Sequence, residues 1–397
     1  MGINTNTQAY ALMNELQNEA KGVKAIAAID TTSFVAAGQN MLELGLDEVM
    51  GCISKVIQKT IISARPYKAK LGLIDMNKDA FSFAIRKLSI ADSAFIQGSI
   101  PVPAEGNSTD PWVVHKANVL EQVFVGQDIW QYQAPSTFKT QLLNAFRSEG
   151  ELVSFFGAIM TNMYNELEQA KESARRGLLS NLIAGKAYSN TKGYESGTYR
   201  HLVTEYNAYK GNEPALTLVQ IRKDYYKDFM EFVYAQIKTA SLNLTERTRL
   251  YHTNVTGKEI TRHTPKADQR LVMLAPEVFN MDASVLSNTF NKELLTYTDY
   301  EEVSFWQNIQ SPATVKAAPV VLKNDGTLEN VATSAAVTCD NVFAVLFDRE
   351  ALGMTVIEES VLSTPLNPKG KYFNTFAEAQ FKIYQDFTEN AIVFALD

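Results

Sequence analysis

The stretch from Ser148 to Gly185, SEGELVSFFGAIMTNMYNELEQAKESARRGLLSNLIAG, constrains the fold more than any other part of the chain. Leu152, Phe155, Phe156, Ile159, Met163, Leu167, Ala170, Ala174, Leu178 and Leu182 recur at intervals of one, three and four residues. That is the stripe of one amphipathic helix and not of a strand. Ser148 with Glu151 has the form of a capping box, and Gly185 suits the left-handed residue that follows a helix end. At a rise of about 1.5 Å per residue the helix reaches roughly 54 Å, against a radius of gyration of roughly 15 Å for a compact domain of ordinary size. It is expected to be the beam of an elongated or plate-like subunit, with a kink near Gly157 or Gly177 as the alternative.

A chain of 397 residues, 46% of them apolar, has material for two or three domains and more than one core. Its net charge of −7 argues against a nucleic-acid or anionic-membrane binder as a whole, so any nucleic-acid contact must be local. Two cysteines, Cys52 and Cys339, make no disulfide scaffold and read as small core residues in a reducing compartment. The N-terminus lacks a cationic start followed by an apolar run, and no stretch reaches about 18 consecutive apolar residues, so a soluble protein without a signal peptide is expected. Gly2 begins a myristoylation-like pattern that fails at Asn6.

Taken in order, a short helix is expected from Thr7 to Ala20. An interrupted helical segment follows from Thr32 to Ser63, with breaks possible at Gly38, Gly45 and Gly51. Lys55, Lys59, Arg65, Lys68 and Lys70 make its end locally basic, either as a solvated face or as a contact with an acidic neighbouring subunit or packaged nucleic acid. FSFAIRKLSI and NVLEQVFVGQDIWQYQAP read as two strands flanking a long Gly/Pro/Asn/Ser tip. A two-stranded ribbon is marginal alone in water, so its apolar residues must cover either its own domain or a neighbour. Trp112 and Trp130 lie near this ribbon as packing residues or as anchors on a neighbour.

A helix from Ser136 to Arg147 is expected to feed the beam, and a second long helix from Thr217 to Ala240 to belong to a separate α+β domain. Leu271 to Leu274, followed by a helix near Pro276, and Asn341 to Phe347 read as buried strands; Phe381 to Tyr384 and Ala391 to Leu396 read as the closing ones. On the beam, Glu166, Glu168 and Glu172 lie among Lys171, Arg175 and Arg176. Pairing along the helix, for example Glu172 with Arg176, is one reading; Arg175 and Arg176 reaching across a subunit boundary is the other.

The chain carries no phosphate-binding, dinucleotide-binding, nucleophile-elbow or zinc-protease motif. His115, His201, His252 and His263 lack ligand spacing. No enzyme activity, cofactor or metal is expected.

The order of parts resembles the major capsid protein of tailed bacteriophages with the Hong Kong 97-type fold. The resemblance is carried by DTTSFVAAGQNMLELGLDEVMGCISKVIQKTI in the arm, by NVFAVLFDREALG, and by the ending FNTFAEAQFKIYQDFTENAIVFALD. It implies an α+β fold with an N-terminal arm (1–70), an extended β loop (71–135), a peripheral domain holding the spine helix (136–189 and 366–397) and an axial domain (190–365). It implies self-assembly through hexamers and pentamers into an icosahedral-type shell around a double-stranded DNA genome, inside the host cytoplasm. A portal is implied as a partner; with no long stretch ahead of the arm, a separate scaffolding protein is expected. Lys55, Lys59, Arg65, Trp112, Trp130, Arg175 and Arg176 are the candidate subunit contacts. An encapsulin-like compartment shares the fold and would hold cargo protein; a soluble enzyme would remain a small oligomer.

Overall fold

The computed structural model describes residues 6–20, 27–29, 31–43, 67–76, 85–92, 118–124, 127–133, 136–138, 149–279 and 300–397. Two short helices, α1 (Asn6–Glu19) and α2 (Thr31–Glu43), come first. The strands β1 (Ile85–Ile90), β2 (Val119–Phe124), β3 (Gln127–Gln133) and β4 (Thr137–Phe138) precede the long helix α3 (Glu149–Lys192). Then come β5 (Tyr199–His201), α4 (Leu202–Lys210) and α5, the last being Leu218–Gln220 and Tyr226–Thr245 joined by a π-helical turn over Ile221–Tyr225. The remainder is strand-rich: β6 (Gln269–Leu274), β7 (Tyr300–Val303), β8 (Val315–Ala317), β9 (Val320–Leu322), β10 (Leu328–Asn330), β11 (Val337–Cys339), β12 (Val342–Asp348), β13 (Leu352–Ser363), β14 (Tyr372–Phe373), β15 (Thr375–Gln385) and β16 (Ala391–Ala395). Among the described residues no helix is long and apolar enough to cross a membrane.

The beam is longer than its sequence pattern predicts. It spans 44 residues, about 66 Å at about 1.5 Å each, and is helical through both Gly157 and Gly177. Its end is set by Gly193, whose φ of +76° is the left-handed stop expected of Gly185. Gly185 has a different task. A Cβ built there would lie 2.5 Å from Cζ of Phe387, so the missing side chain admits that buried ring to the helix backbone. The beam's capping residue Ser148 falls outside the described residues.

A five-stranded sheet ordered β5-β16-β12-β6-β7 lies at the centre, antiparallel where β16, β12 and β6 meet and parallel at its two margins. Both faces are buried, which explains the unbroken apolar runs of β12 and β16. The alternation of β16 divides the core: Ala391, Val393 and Ala395 join the cluster around α3, whereas Ile392, Phe394 and Leu396 join the one built by α4 and α5. The first cluster also takes in Met13, Leu16, Phe34 and Met41 of α1 and α2; α1 packs on the beam and α2 on α1.

A second, antiparallel sheet ordered β13-β15-β3 packs along α3. The stretch expected as one strand after the loop tip is therefore two. β2 pairs with β1 as a ribbon, and β3 leaves it to join β15. The helix expected from Ser136 is also corrected at its start. Thr137 and Phe138 are strand β4, in register with Phe373 and Tyr372, a case of sheet pairing overriding local helical preference. α5 exceeds its expected end by a turn and begins at the capping box of Thr217 and Gln220.

The glycines of α3 are expected to differ in sign. Gly177→Ala, which meets nothing within 4 Å, gains about 0.5–1 kcal/mol from helix propensity. Gly185→Ala forces the Phe387 ring aside and loses about 1–3 kcal/mol. Denaturant midpoints of the two variants check both.

Candidate subunit-contact site

The charged side chains of α3 are spent on a strap, residues 67–76, that crosses the helix. Glu168 Oε2 accepts from the Ala69 amide at 3.0 Å, while its Oε1 accepts from Lys171 Nζ (2.8 Å) and the Tyr164 hydroxyl (2.9 Å). One turn on, Glu172 accepts from the Tyr67 hydroxyl at 2.6 Å, the Lys70 amide at 3.2 Å and Arg176 Nε at 2.9 Å. Arg175 closes the strap with a bidentate fork on Asp75, at 2.9 and 2.7 Å, and a bond to the Lys70 carbonyl at 2.8 Å. Arg176 stacks its guanidinium 3.9 Å above the Phe305 ring and donates to the Phe305 carbonyl.

Burial alone would raise both glutamates. The Lys171 and Ala69 donors at Glu168, and the Tyr67, Arg176 and Lys70 donors at Glu172, outweigh it and hold both carboxyls below their ordinary range. The Glu172–Arg176 pair read from the sequence is present, at 2.8 Å.

The ribbon β1–β2 is fastened differently. Among the described residues it shares no sheet with the body, and its backbone pairs with itself apart from the Asp92 amide donating to the Glu259 carbonyl at 3.0 Å just past β1. Its inward face carries Lys87, Ser89 and Gln122. Lys87 Nζ enters a socket of three carboxylates, Asp386 at 2.9 Å, Glu350 at 3.2 Å, and Glu389. Gln122 donates to Asp386 at 3.1 Å, and Ser89 accepts from Arg262, which also pairs with Glu389 at 3.0 Å. Desolvation would lower Lys87, yet Asp386 and Glu389 outweigh it and hold the ammonium charged well above its usual range. Burial pushes Glu389 up in spite of Lys87 and Arg262.

The socket belongs to the turn between β15 and β16, Asp386–Asn390, whose five residues are all buried. Its backbone and side chains bind every element around it. Thr253 N donates to the Phe387 carbonyl, Arg262 to the Thr388 carbonyl, and Asp348 N to the Asn390 carbonyl. Asn390 also bonds His252 and Thr264, both buried. On the far side of the turn, Phe387 lies against Gly185 and Lys186 of the beam. A cavity of about 930 Å³ opens beside it, lined by Lys87, Arg262, Asp348 and Glu350 among others.

The outward face of the ribbon is apolar. Leu88 is 58% exposed, Ile90 66% and Val123 54%, joined by Val119 and by one exposed ion pair, Arg86 with Glu121 at 2.7 Å. The cross-strand register brings Arg86 to Val123, Leu88 to Glu121 and Ile90 to Val119, so these six share a face.

Of the residues singled out by sequence, Lys55, Lys59, Arg65 and Trp112 lie outside the described residues. Trp130 is in β3, opposite Ala379, and Arg175 and Arg176 find their partners within the subunit. Sequence reasoning missed Lys87, Asp386 and Glu389, about which spacing says nothing across three hundred positions. Cys339 is a buried free thiol, pushed by burial up to about 11. Among the described residues no group of His, Cys, Asp or Glu could hold a metal ion.

With this geometry in hand, the family model for Phi29-like phage major capsid protein matches residues 11–395. No curated protein matches. One similar solved structure is the capsid structure of Staphylococcus phage Andhra, with a TM-score of 0.54 at 10% identity over 85% of this chain and 86% of that one. Another is the structure of head fiber and inner core protein gp22 of native bacteriophage P68, with a TM-score of 0.53 at 10% identity over 83% and 85%. Both likenesses are of fold.

The strap sets a pH dependence. Carboxyls held below their ordinary value of 4.5 contribute stability that is complete above that value and lost as pH falls through the depressed one. The double variant Glu168→Gln/Glu172→Gln is expected to be less stable than the parent by about 1–3 kcal/mol at pH 7. The difference should shrink steadily below pH 4.5. Denaturant melts across pH check this; a gap that stays constant would show that the charges of these carboxylates do not hold the strap.

Proposed function

This chain belongs to the Phi29-like phage major capsid protein family, with an α+β fold of Hong Kong 97 type and a structural role in a phage shell, and from that premise we propose how it assembles. Copies associate as hexamers and pentamers into a closed, icosahedral-type shell around double-stranded DNA, with a separate scaffolding protein and a portal as partners, in the host cytoplasm. The protein is not an enzyme. The observation that carries the assembly reading is the ribbon's outer face: Lys87 is turned inward to its carboxylates, while Leu88, Ile90, Val119 and Val123 face outward beside a single exposed ion pair, Arg86 with Glu121. Apolar surface of this kind is stabilised when a neighbouring copy covers it, and repetition of one such heterologous contact around a ring closes a symmetric assembly.

The proposed division is an N-terminal arm (1–70), an extended loop (71–135), a peripheral domain (136–189 and 366–397) and an axial domain (190–365). β16 is the seam that ties the last two, since it enters the same sheet as β6 and β12. Lys55, Lys59, Arg65, Trp112 and Trp130 are proposed as contacts made directly with neighbours. Arg175 and Arg176, whose forks are engaged within the subunit, are proposed to support neighbour contacts from there, Arg175 by holding the strap and Arg176 by holding the segment at Phe305.

Electron microscopy of the purified full chain, alone and with a co-expressed scaffolding protein, is expected to show closed particles. The double variant Ile90→Asp/Val123→Asp should still fold, losing about 1–2 kcal/mol because Asp is a poor strand former, and should sediment as a small species under the same conditions. Particles formed as readily by that variant would remove the ribbon face from the assembly contact.

A further inference from the structure

We propose that the buried turn Asp386–Asn390 is a mechanical relay, coupling the attachment of the ribbon to the stiffness of the C-terminal third of the beam. The coupling lies within one subunit and does not depend on the assembly reading. Its physical basis is that one five-residue turn is shared by two elements that do not otherwise share a sheet.

On one side, Lys87 and Gln122 of the ribbon hold Asp386, and Lys87 with Arg262 holds Glu389. Between these two carboxylates stands Phe387, whose ring presses on the backbone at Gly185 with no side chain intervening. The ring also stands 5.5 Å from Lys186 Nζ. A second route runs in parallel. The Thr253 amide donates to the Phe387 carbonyl at 2.9 Å, the Thr253 hydroxyl donates to Glu195 at 2.6 Å, and Glu195 pairs with Lys186 at 2.9 Å, both of its side chains fully buried.

A shift of the turn cannot be absorbed locally. Asp386 Oδ1 also accepts from the Thr388 amide (2.8 Å) and hydroxyl (2.7 Å), which makes the turn one rigid loop. When Lys87 leaves its socket, Asp386 loses its cation while Glu389 keeps only Arg262, and the turn shifts toward water to solvate the uncompensated carboxylate. Phe387 moves with it and leaves a gap beside Gly185, where the helix has only backbone to present. The cavity of about 930 Å³ beside the socket gives the displaced groups room. Seating of the ribbon therefore tightens α3 near Gly185, and a loosened α3 unseats the ribbon, since coupling between two sites is reciprocal.

Hydrogen exchange of the full-length protein, read by mass spectrometry over 183–192 of the beam and over 85–92 and 118–124 of the ribbon, tests this. Lys87→Met is expected to raise exchange at least about threefold in both regions, while Arg86→Met, on the outer face of the same strand, changes neither. Faster exchange confined to the ribbon, or no change at either place, would overturn the relay. Should Lys87→Met fail to fold, Phe387→Leu probes the same coupling from the other end. Faster exchange in the ribbon supports the relay, and an unchanged ribbon overturns it.

Discussion

Two sheets, a 44-residue helix and a protruding ribbon meet at one turn of five buried residues, and the charges in that turn fix where each of them goes. A buried carboxylate is tolerated only when a cation and hydrogen-bond donors reach it in good geometry. Asp386 and Glu389 therefore specify the positions of Lys87 and Arg262. An apolar turn would accept many packings of nearly equal energy, whereas this one admits a single arrangement. The strap across the middle of the helix obeys the same logic. Glu168, Glu172 and Arg175 each bind backbone as well as side chain, so residues 67–76 are held in register with the beam.

This use of charge inverts the ordinary amphipathic rule for the ribbon. The polar socket draws Lys87, Ser89 and Gln122 inward beside the half-buried Ile85, Leu120 and Phe124, and the alternation of a strand then sends Leu88, Ile90 and Val123 outward. Among the described residues this leaves apolar surface exposed, and a second molecule can cover it. In a phage capsid protein that molecule is available in many copies, and the ribbon contact gains its meaning from repetition. The beam supplies the complementary property: packed against α1, both β13-β15-β3 and the central sheet, it transmits position across the whole subunit.

Much of the fold was legible in the sequence. The period of three to four residues in α3 and α5 and the apolar runs of β12 and β16 each announce their element, because burial acts on them from one or two fixed sides. β13 was illegible: a bulge between Val356 and Glu358 breaks its alternation, and Glu358 and Glu359 give it a polar middle. Gly185 was misread because glycine serves both chain reversal and close approach, and only the distant Phe387 decides between them. The site was the least legible part. IRKLSI and VLEQVF carry apolar residues on both faces, and nothing local says which face is buried. DFTEN reads as an ordinary exposed turn until four segments converge on it.

If the ribbon's apolar face lies between copies, assembly hides it. Hydroxyl-radical footprinting of Leu88, Ile90, Val119 and Val123, in the dispersed subunit and in purified particles, should then show strong labelling of all four in the subunit and protection of all four in the particle. Equal labelling in both states would mean that the ribbon faces solvent in the shell.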